Sequence, residues 1–323
     1  MNNTNPKPSP QDPVFADPTF RTNTTKAAEA YQAGRPDYAD VLMNELFTHH
    51  TRTGGKLTTL LDVGCGPGTA TRSLSPHFHA AYGCDPSDSM ISTAQGIPST
   101  TLSGIPVSYA VGAAESLDTV SFSPNSQPLS RGSVDLITCA MSAHWFSPIR
   151  SFYEAAASLL APGGTLAMWT ASSLYCNPHT TPNSTKVQAI LFDLERNILA
   201  PFELLGNRLS MDGYDDLPLP WDEGVPSFDE ATFVRREWNK GGKVEKGETF
   251  LGAEPRRSLN ELAKGCSTAS MVVRWREANR EALEKGEVED CVDLTIKRLK
   301  EVLGGQDWLE GGPSTVLLMI KKT

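Results

Sequence analysis

The chain is predicted to be an α/β protein built on a mostly parallel sheet with helices on both faces. Three observations predict it. Between residues 57 and 170, short apolar runs alternate with helical stretches, and parallel strands need such crossovers. A glycine-rich turn joins the first apolar run directly to a helix. After a long helical stretch, residues 315–321 (TVLLMIK) read as a strand that returns to the sheet.

In chain order, residues 26–47 are helical, broken by the turn Gly34-Arg35-Pro36. Residues 57–63 form a buried strand between glycines, and residues 69–74 a helix just past the glycine turn. A second strand (80–84), a second helix (86–94) and a third strand (106–111) follow. The Ser/Pro-rich run SFSPNSQPLS lies within 119–131 and reads as an insertion at the sheet edge. Residues 134–140 are a fourth strand, 149–160 a helix and 165–170 a fifth strand. The alternation then stops. Residues 182–199 are helical, 217–220 (LPLP) extended, 232–238 a strand, and 260–284 and 289–303 helical. The organisation expected is a disordered tail over 1–25, whose first 23 residues carry five prolines, a core over 26–170, a lid or substrate-binding region over 171–312, and a closing strand over 313–323.

The 323 residues suffice for one large α/β domain with additions. No apolar run approaches the ~20 residues of a membrane span, and the N-terminus lacks the basic start and apolar core of a signal peptide. No membrane association is expected. The net charge of −9 repels phosphate backbones, and the basic pairs Arg256-Arg257 and Lys297-Arg298 are short and mixed with acids, so nucleic acid is not expected as a partner. Six scattered cysteines without a CxxC pair argue against a metal site or a disulfide framework and fit a reducing, cytoplasmic setting.

Leu60-Leu61-Asp62-Val63-Gly64-Cys65-Gly66-Pro67-Gly68-Thr69 carries the most information. Its glycines let the backbone turn sharply between strand and helix and approach a ligand closely. Asp85 ends the second strand 17 residues after Gly68, where an acid accepts hydrogen bonds from both ribose hydroxyls. A dinucleotide would want the G-x-G-x-x-G spacing for its pyrophosphate. Here the third glycine comes one residue early, and Asp62 stands just before the turn. A carboxylate is unfavourable beside a pyrophosphate and favourable beside the ammonium of a methionine moiety. Charge therefore selects S-adenosyl-L-methionine over a nicotinamide cofactor. The other reading of Asp62 is an acid that braces the loop.

The segment from Asp62 to Thr71 (DVGCGPGTAT) resembles motif I of class I methyltransferases. Tyr31 with Arg35-Pro36-x-Tyr38, the block Ala143-His144-Trp145-Phe146, and the run from Pro162 to Trp169 (PGGTLAMW) resemble the trans-aconitate methyltransferase family. The resemblance is dense from Tyr31 to Trp169. It implies a Rossmann-like fold with a seven-stranded sheet and a C-terminal helical lid, and methyl transfer to a carboxylate oxygen of a small acid. Fungal relatives also act on other small metabolites.

By that resemblance Gly64, Cys65, Gly66 and Gly68 line the methionine part of the cofactor, with Asp62 near its ammonium. Tyr31 and Arg35 fold over the cofactor, and Cys139 and Ala140 lie beside it. Met90 packs near the adenine or is plain core. Glu115, after Ala114, either reaches the adenine amino group or is an ordinary surface acid. His144 either takes a proton from the acceptor or, with Trp145, only orients it; a carboxylate is already ionised at neutral pH and needs no base. A small polyacid calls for cationic groups from the lid, for which Arg208, Arg274 and Trp275 are candidates; the alternative is solvated helix charges and a packed indole. Ser267-Thr268-Ala269-Ser270 departs from the Thr-Trp-Ser of the carboxylate-methylating pattern. The competing functions are a nicotinamide-dependent oxidoreductase and a non-catalytic cofactor-binding regulator. An RNA or protein methyltransferase is disfavoured by charge and by Cys-Ala-Met-Ser at the fourth strand's end, in place of Asn/Asp-Pro-Pro-Tyr.

Overall fold

The computed structural model describes residues 24–34, 38–123, 127–252 and 256–323. Residues 1–23 of the expected tail, and Arg35, lie outside the described residues. The N-terminal helical stretch is two helices, α1 (Thr25–Gly34) and α2 (Asp40–Arg52), so Thr25 belongs to a helix rather than to the tail. Then come β1 (Thr59–Val63), α3 (Thr69–Leu74), β2 (Ala80–Asp85), α4 (Asp88–Gly96), β3 (Ser108–Val111), β4 (Val134–Ala140), α5 (Ile149–Leu159) and β5 (Leu160–Cys176). The second half holds α6 (Ser184–Asp193), α7 (Leu205–Met211), β6 (Phe228–Trp238), β7 (Arg257–Ser258), α8 (Leu259–Ser267), α9 (Ser270–Ala278), α10 (Arg280–Glu284), α11 (Cys291–Val302), β8 (Trp308–Leu309) and β9 (Gly311–Lys322).

Seven strands make one sheet in the order β3-β2-β1-β4-β5-β9-β6. β9 is antiparallel to both of its neighbours, β5 and β6, and every other pairing is parallel. This is the mostly parallel α/β sheet that the alternation predicts. β1 and β4 are buried at every residue, as strands covered on both faces must be. The pleat sorts their side chains. Leu61, Val63, Ile137, Cys139, Leu166, Met168, Val316, Leu318 and Ile320 enter one core with α5, whereas Leu60, Leu136, Ala140, Ala167, Trp169, Leu317 and Met319 enter the other with α2 and α3. Each buried leucine or isoleucine contributes about 1.5–3 kcal/mol.

The lid has cores of its own. Leu191 of α6, Leu262 of α8 and Leu299 of α11 meet in one cluster, and Met271 and Val272 of α9 meet Cys291 and Val292 of α11 in another. The single helix expected over 260–284 is three. Thr268 closes α8 with its hydroxyl on the Gly265 carbonyl, Ala269 is extended, and the Asn279 amide folds back onto the Trp275 carbonyl. β5 also outruns its expected length. Ser172 and Ser173 break the apolar run in sequence, yet Leu174, Tyr175 and Cys176 pair with Pro313, Gly312 and Gly311. Among the described residues, no helix is long and apolar enough to cross a membrane.

Candidate active site

Three strands, β1, β2 and β4, end together and define the floor of the site. Past Val63 the chain enters the glycine loop with Gly64, Gly66 and Gly68 all at positive φ (65°, 54° and 83°), where a side chain costs roughly 1–2 kcal/mol. Gly64 is also a close approach, because a Cβ there would stand 2.5 Å from that of Ser142. The Ser142 hydroxyl donates to the Val63 carbonyl at 2.8 Å, stitching the end of β4 to that of β1. Gly68 turns the chain into α3. At Gly66 no protein atom lies within 4 Å of the place a Cβ would take.

Asp85, half-buried at the end of β2, faces this loop. Its two carboxylate oxygens accept hydrogen bonds from the Gly66 N–H (3.0 Å) and the Ser87 N–H (2.9 Å). Ser87 in turn caps α4, which carries Met90. Glu115 is no ordinary surface acid, since one of its oxygens accepts the Ser147 N–H at 2.7 Å. That bond ties the turn after β3 to the turn after β4.

Of the two readings of Asp62, the geometry matches the acid that braces the loop. Its carboxylate is fully buried and accepts the hydroxyls of Thr71 (2.6 Å) and Thr138 (2.7 Å). Burial, and secondarily the charge of Asp85, pushes its pKa up to about 6 against the pull of the two hydroxyls. It lies beneath the loop, off the cavity wall, and clamps β1 to α3 and β4. Cys139 is likewise turned into the core, although its neighbour Ala140 lines the cavity. Gly68 shapes the loop without lining the cavity.

The glycine loop opens into a cavity of about 570 Å³. Tyr31, Gly64, Cys65, Gly66, Asp85, Met90, Ala114, Glu115, Ala140, His144 and Trp145 of the expected site line it. Three predicted acceptor residues do not. Arg208 is mostly exposed and pairs with Glu203 at 3.5 Å. Arg274 donates to the Phe202 carbonyl (3.0 Å) and the Asn207 amide oxygen (2.5 Å), so it staples α9 to α7 and to the segment before it. Trp275 packs against the second lid core. The cavity faces of these helices are instead occupied by Asn207, Ser210 and Met211 of α7 and Ser270, Met271 and Val272 of α9.

His144 lies on the wall with Nδ1 2.9 Å from the hydroxyl of Tyr214, a fully buried phenol whose pKa burial raises further. Sequence reasoning missed Tyr214, 70 residues from His144, and it also missed Ser142. No local pattern marks Tyr214; Ser142 stands one residue before the Ala143-His144-Trp145-Phe146 block. The indole of Trp145 is where the lid docks: a Cβ on Gly206 of α7 would fall 2.4 Å from its ring.

The cavity fits S-adenosylmethionine at its glycine end. An unobstructed backbone at Gly66 leaves room for a ligand, a carboxylate at the end of β2 suits vicinal hydroxyls, and Met90 and Pro86 offer apolar surface beside Glu115.

Residues 61–168 match the family described as "Methyltransferase domain". The chain is 32% identical over 157 residues to a candidate methyltransferase of Dictyostelium discoideum, covering 49% of this chain and 52% of that one. It is 31% identical over 139 residues to a candidate S-adenosylmethionine-dependent methyltransferase of Saccharomyces cerevisiae, covering 43% of each. The chain thus spans about half the length of these relatives. A candidate type II methyltransferase from Anaeromyxobacter dehalogenans has a similar fold, with a TM-score of 0.56 at 22% identity over 89% of this chain and 96% of that one. Loop, sheet and family match agree over residues 61–168, which form a methyltransferase domain of the class I, S-adenosylmethionine-dependent kind.

Proposed function

We propose that the protein transfers the methyl group of S-adenosylmethionine to an oxygen of a small-molecule acceptor, with a carboxylate as the reacting group. The observation that carries this reading is the opening of the Gly64–Gly66 backbone and Asp85 into a cavity whose far wall is a structured lid. When bound, the cofactor supplies an electrophilic methyl on a sulfonium. The chain's residues then have binding and orienting work. Asp85 accepts the ribose hydroxyls, Glu115 and Met90 flank the adenine, and Tyr31 and Ala140 close on the methionine part. His144 and Trp145 orient the acceptor, and the lid excludes water. A carboxylate acceptor needs alignment and no proton removal. This agrees with a His144 whose Nδ1 is turned toward a buried phenol.

A hydroxyl acceptor is the second reading, favoured by the presence of His144 on the cavity wall. The resemblance to trans-aconitate methyltransferases supports an acid as substrate. The wall disfavours a small tricarboxylate, because Leu174, Leu191, Leu194, Leu262, Met211 and Met271 make much of the lid side apolar. No disulfide joins the six cysteines, and a reducing, cytoplasmic setting suits them.

Two measurements test the proposal. Calorimetric titration should give S-adenosylmethionine at least a hundredfold tighter than NADH, and the reverse order would defeat it. Purified protein with methyl-labelled cofactor, screened against small acids, phenols and alcohols, should label an oxygen. Tight cofactor binding with no labelled product across the panel would favour a non-catalytic regulator.

A further inference from the structure

The arginines of the lid are nearly all committed. Arg208 pairs with Glu203, Arg276 with Asp290, and Arg298 with Asp193. Arg274 is held by Phe202 and Asn207, and the Arg256 guanidinium lies 4.3 Å over the ring of Trp308. Arg257 differs from them. It is half-buried, it lines the cavity, and it makes no ion pair among the described residues. Its nearby acid, Glu261, feels its charge but spends its carboxylate on the Ser258 N–H and hydroxyl, capping α8. Arg257 is the only lysine or arginine among the described lining residues, against three acids, Asp85, Glu115 and Glu195. Glu195 already accepts the Ser173 hydroxyl at 2.6 Å.

Strand register places Arg257 far from the glycine loop. β4 ends at Ala140, opposite Trp169 of β5. β5 then runs on to Cys176, which pairs with Gly311, and Arg257 pairs with Leu309 just before it. The stretch of β5 from Trp169 to Cys176 is roughly 20 Å of extended chain. Even allowing for a long side chain, the guanidinium lies on the order of 10 Å from the cofactor end. Between the two ends the wall is the apolar surface of Leu174, Leu191, Leu262 and Met271.

We propose that Arg257 is the anchor for an anionic group at the distal end of the acceptor, which is therefore an elongated amphiphilic acid with an apolar body. This rests on the methyltransferase reading above and adds the acceptor's shape to it. A half-buried guanidinium with no carboxylate partner is a built receptor for one, and it gives bidentate, charge-assisted hydrogen bonds. With three acids elsewhere on the same wall, the Arg257 end is the position most favourable to the acceptor's distal anion. The reacting oxygen then lies at the glycine end, with the chain of the acceptor along the leucines and methionines.

The test is calorimetry on the full chain saturated with S-adenosylhomocysteine. The probes are a medium-chain α,ω-dicarboxylate, the matching ω-hydroxy acid and the dimethyl ester of the dicarboxylate. The two acids should bind at least tenfold tighter than the ester. Arg257→Gln should erase that preference, Arg257→Lys should keep part of it, and both variants should retain the cofactor affinity and melting temperature of the wild type. The proposal is overturned if the ester binds as well as the acids, if none of the three binds, or if Arg257→Gln keeps the preference. It is equally overturned if Arg257→Gln weakens cofactor binding tenfold, since the side chain would then serve the methionine carboxylate. Failure of S-adenosylhomocysteine itself to bind would instead sink the methyltransferase reading, and that step is measured first.

Discussion

The two ends of the cavity are built in different ways. At the glycine end the wall is built from backbone and strand ends: Gly64 and Gly66 at positive φ, and Asp85 held by two N–H groups. At the lid end it depends on side chains from helices far apart in the chain, such as Leu191, Met211, Leu262 and Met271. A site made of backbone is specified within a few residues and leaves a local signature. A site made of side chains depends on which face each helix turns inward, and that is decided by the lid's own packing. This contrast predicts severe effects from small changes at the first end and selective effects at the second.

The largest effect should come from Gly64→Val. The new side chain would collide with Ser142 and strain a backbone at φ 65°, so cofactor binding should become unmeasurable by calorimetry while the far-UV spectrum is kept. Retained affinity would mean that the loop is not the cofactor cradle. Next is Asp62, buried with its pKa at about 6. The folded protein holds this proton well above the pH at which an unfolded aspartate releases it. The folded state therefore binds more protons between about pH 4 and pH 6, and stability should fall as pH rises through that window. The loss is on the order of 3 kcal/mol and should be absent in Asp62→Asn, as followed by urea unfolding at a series of pH values. The same variant should bind the cofactor within a few-fold of wild type. A tenfold loss with stability intact would return Asp62 to the ammonium.

Asp85→Ala should weaken S-adenosylmethionine at least tenfold, or more than ~1.4 kcal/mol, because it would remove both the proposed ribose acceptor and the brace on Gly66. Unchanged affinity would move the ribose elsewhere. In the sequence Asp85 and Asp62 stand out equally. Both are acids beside one loop, and charge alone cannot say which faces the ligand. Depth decides it: Asp85 ends its strand at the cavity, while Asp62 sits one residue earlier relative to the turn and points beneath it, into two threonines. The succession of strands and helices along residues 57–170 is readable from periodicity. The split of 259–284 into three helices is not, because it hangs on the side-chain bonds of Thr268 and Asn279.

In the lid, Arg274→Ala should cost about 1–2 kcal/mol of stability and leave acceptor preference untouched, since its guanidinium is spent on Phe202 and Asn207. Thermal unfolding alongside acceptor titration separates the two outcomes. The expectation that Arg274 holds the acceptor rests on its positive charge and on the family resemblance, neither of which fixes the direction of the side chain. Altered acceptor preference at unchanged melting temperature would restore that role.

The smallest effect expected is also the one that best divides the two acceptor chemistries. His144 touches both worlds, with one face on the cavity and Nδ1 toward the Tyr214 hydroxyl. If the acceptor is a carboxylate, it is ionised at neutral pH and His144→Ala loses only orientation, less than about tenfold in kcat/KM, roughly 1.4 kcal/mol. The rate should then be nearly flat from about pH 6 to pH 8. A hydroxyl acceptor must shed a proton, and removing the base would cost about 10²–10⁴. Tyr214→Phe sharpens the distinction. Under the carboxylate reading it lowers stability by about 1–2 kcal/mol and leaves the pH profile unchanged, because the phenol only fixes the ring. Under the hydroxyl reading it shifts the profile, because the phenol then sets which ring nitrogen holds the proton.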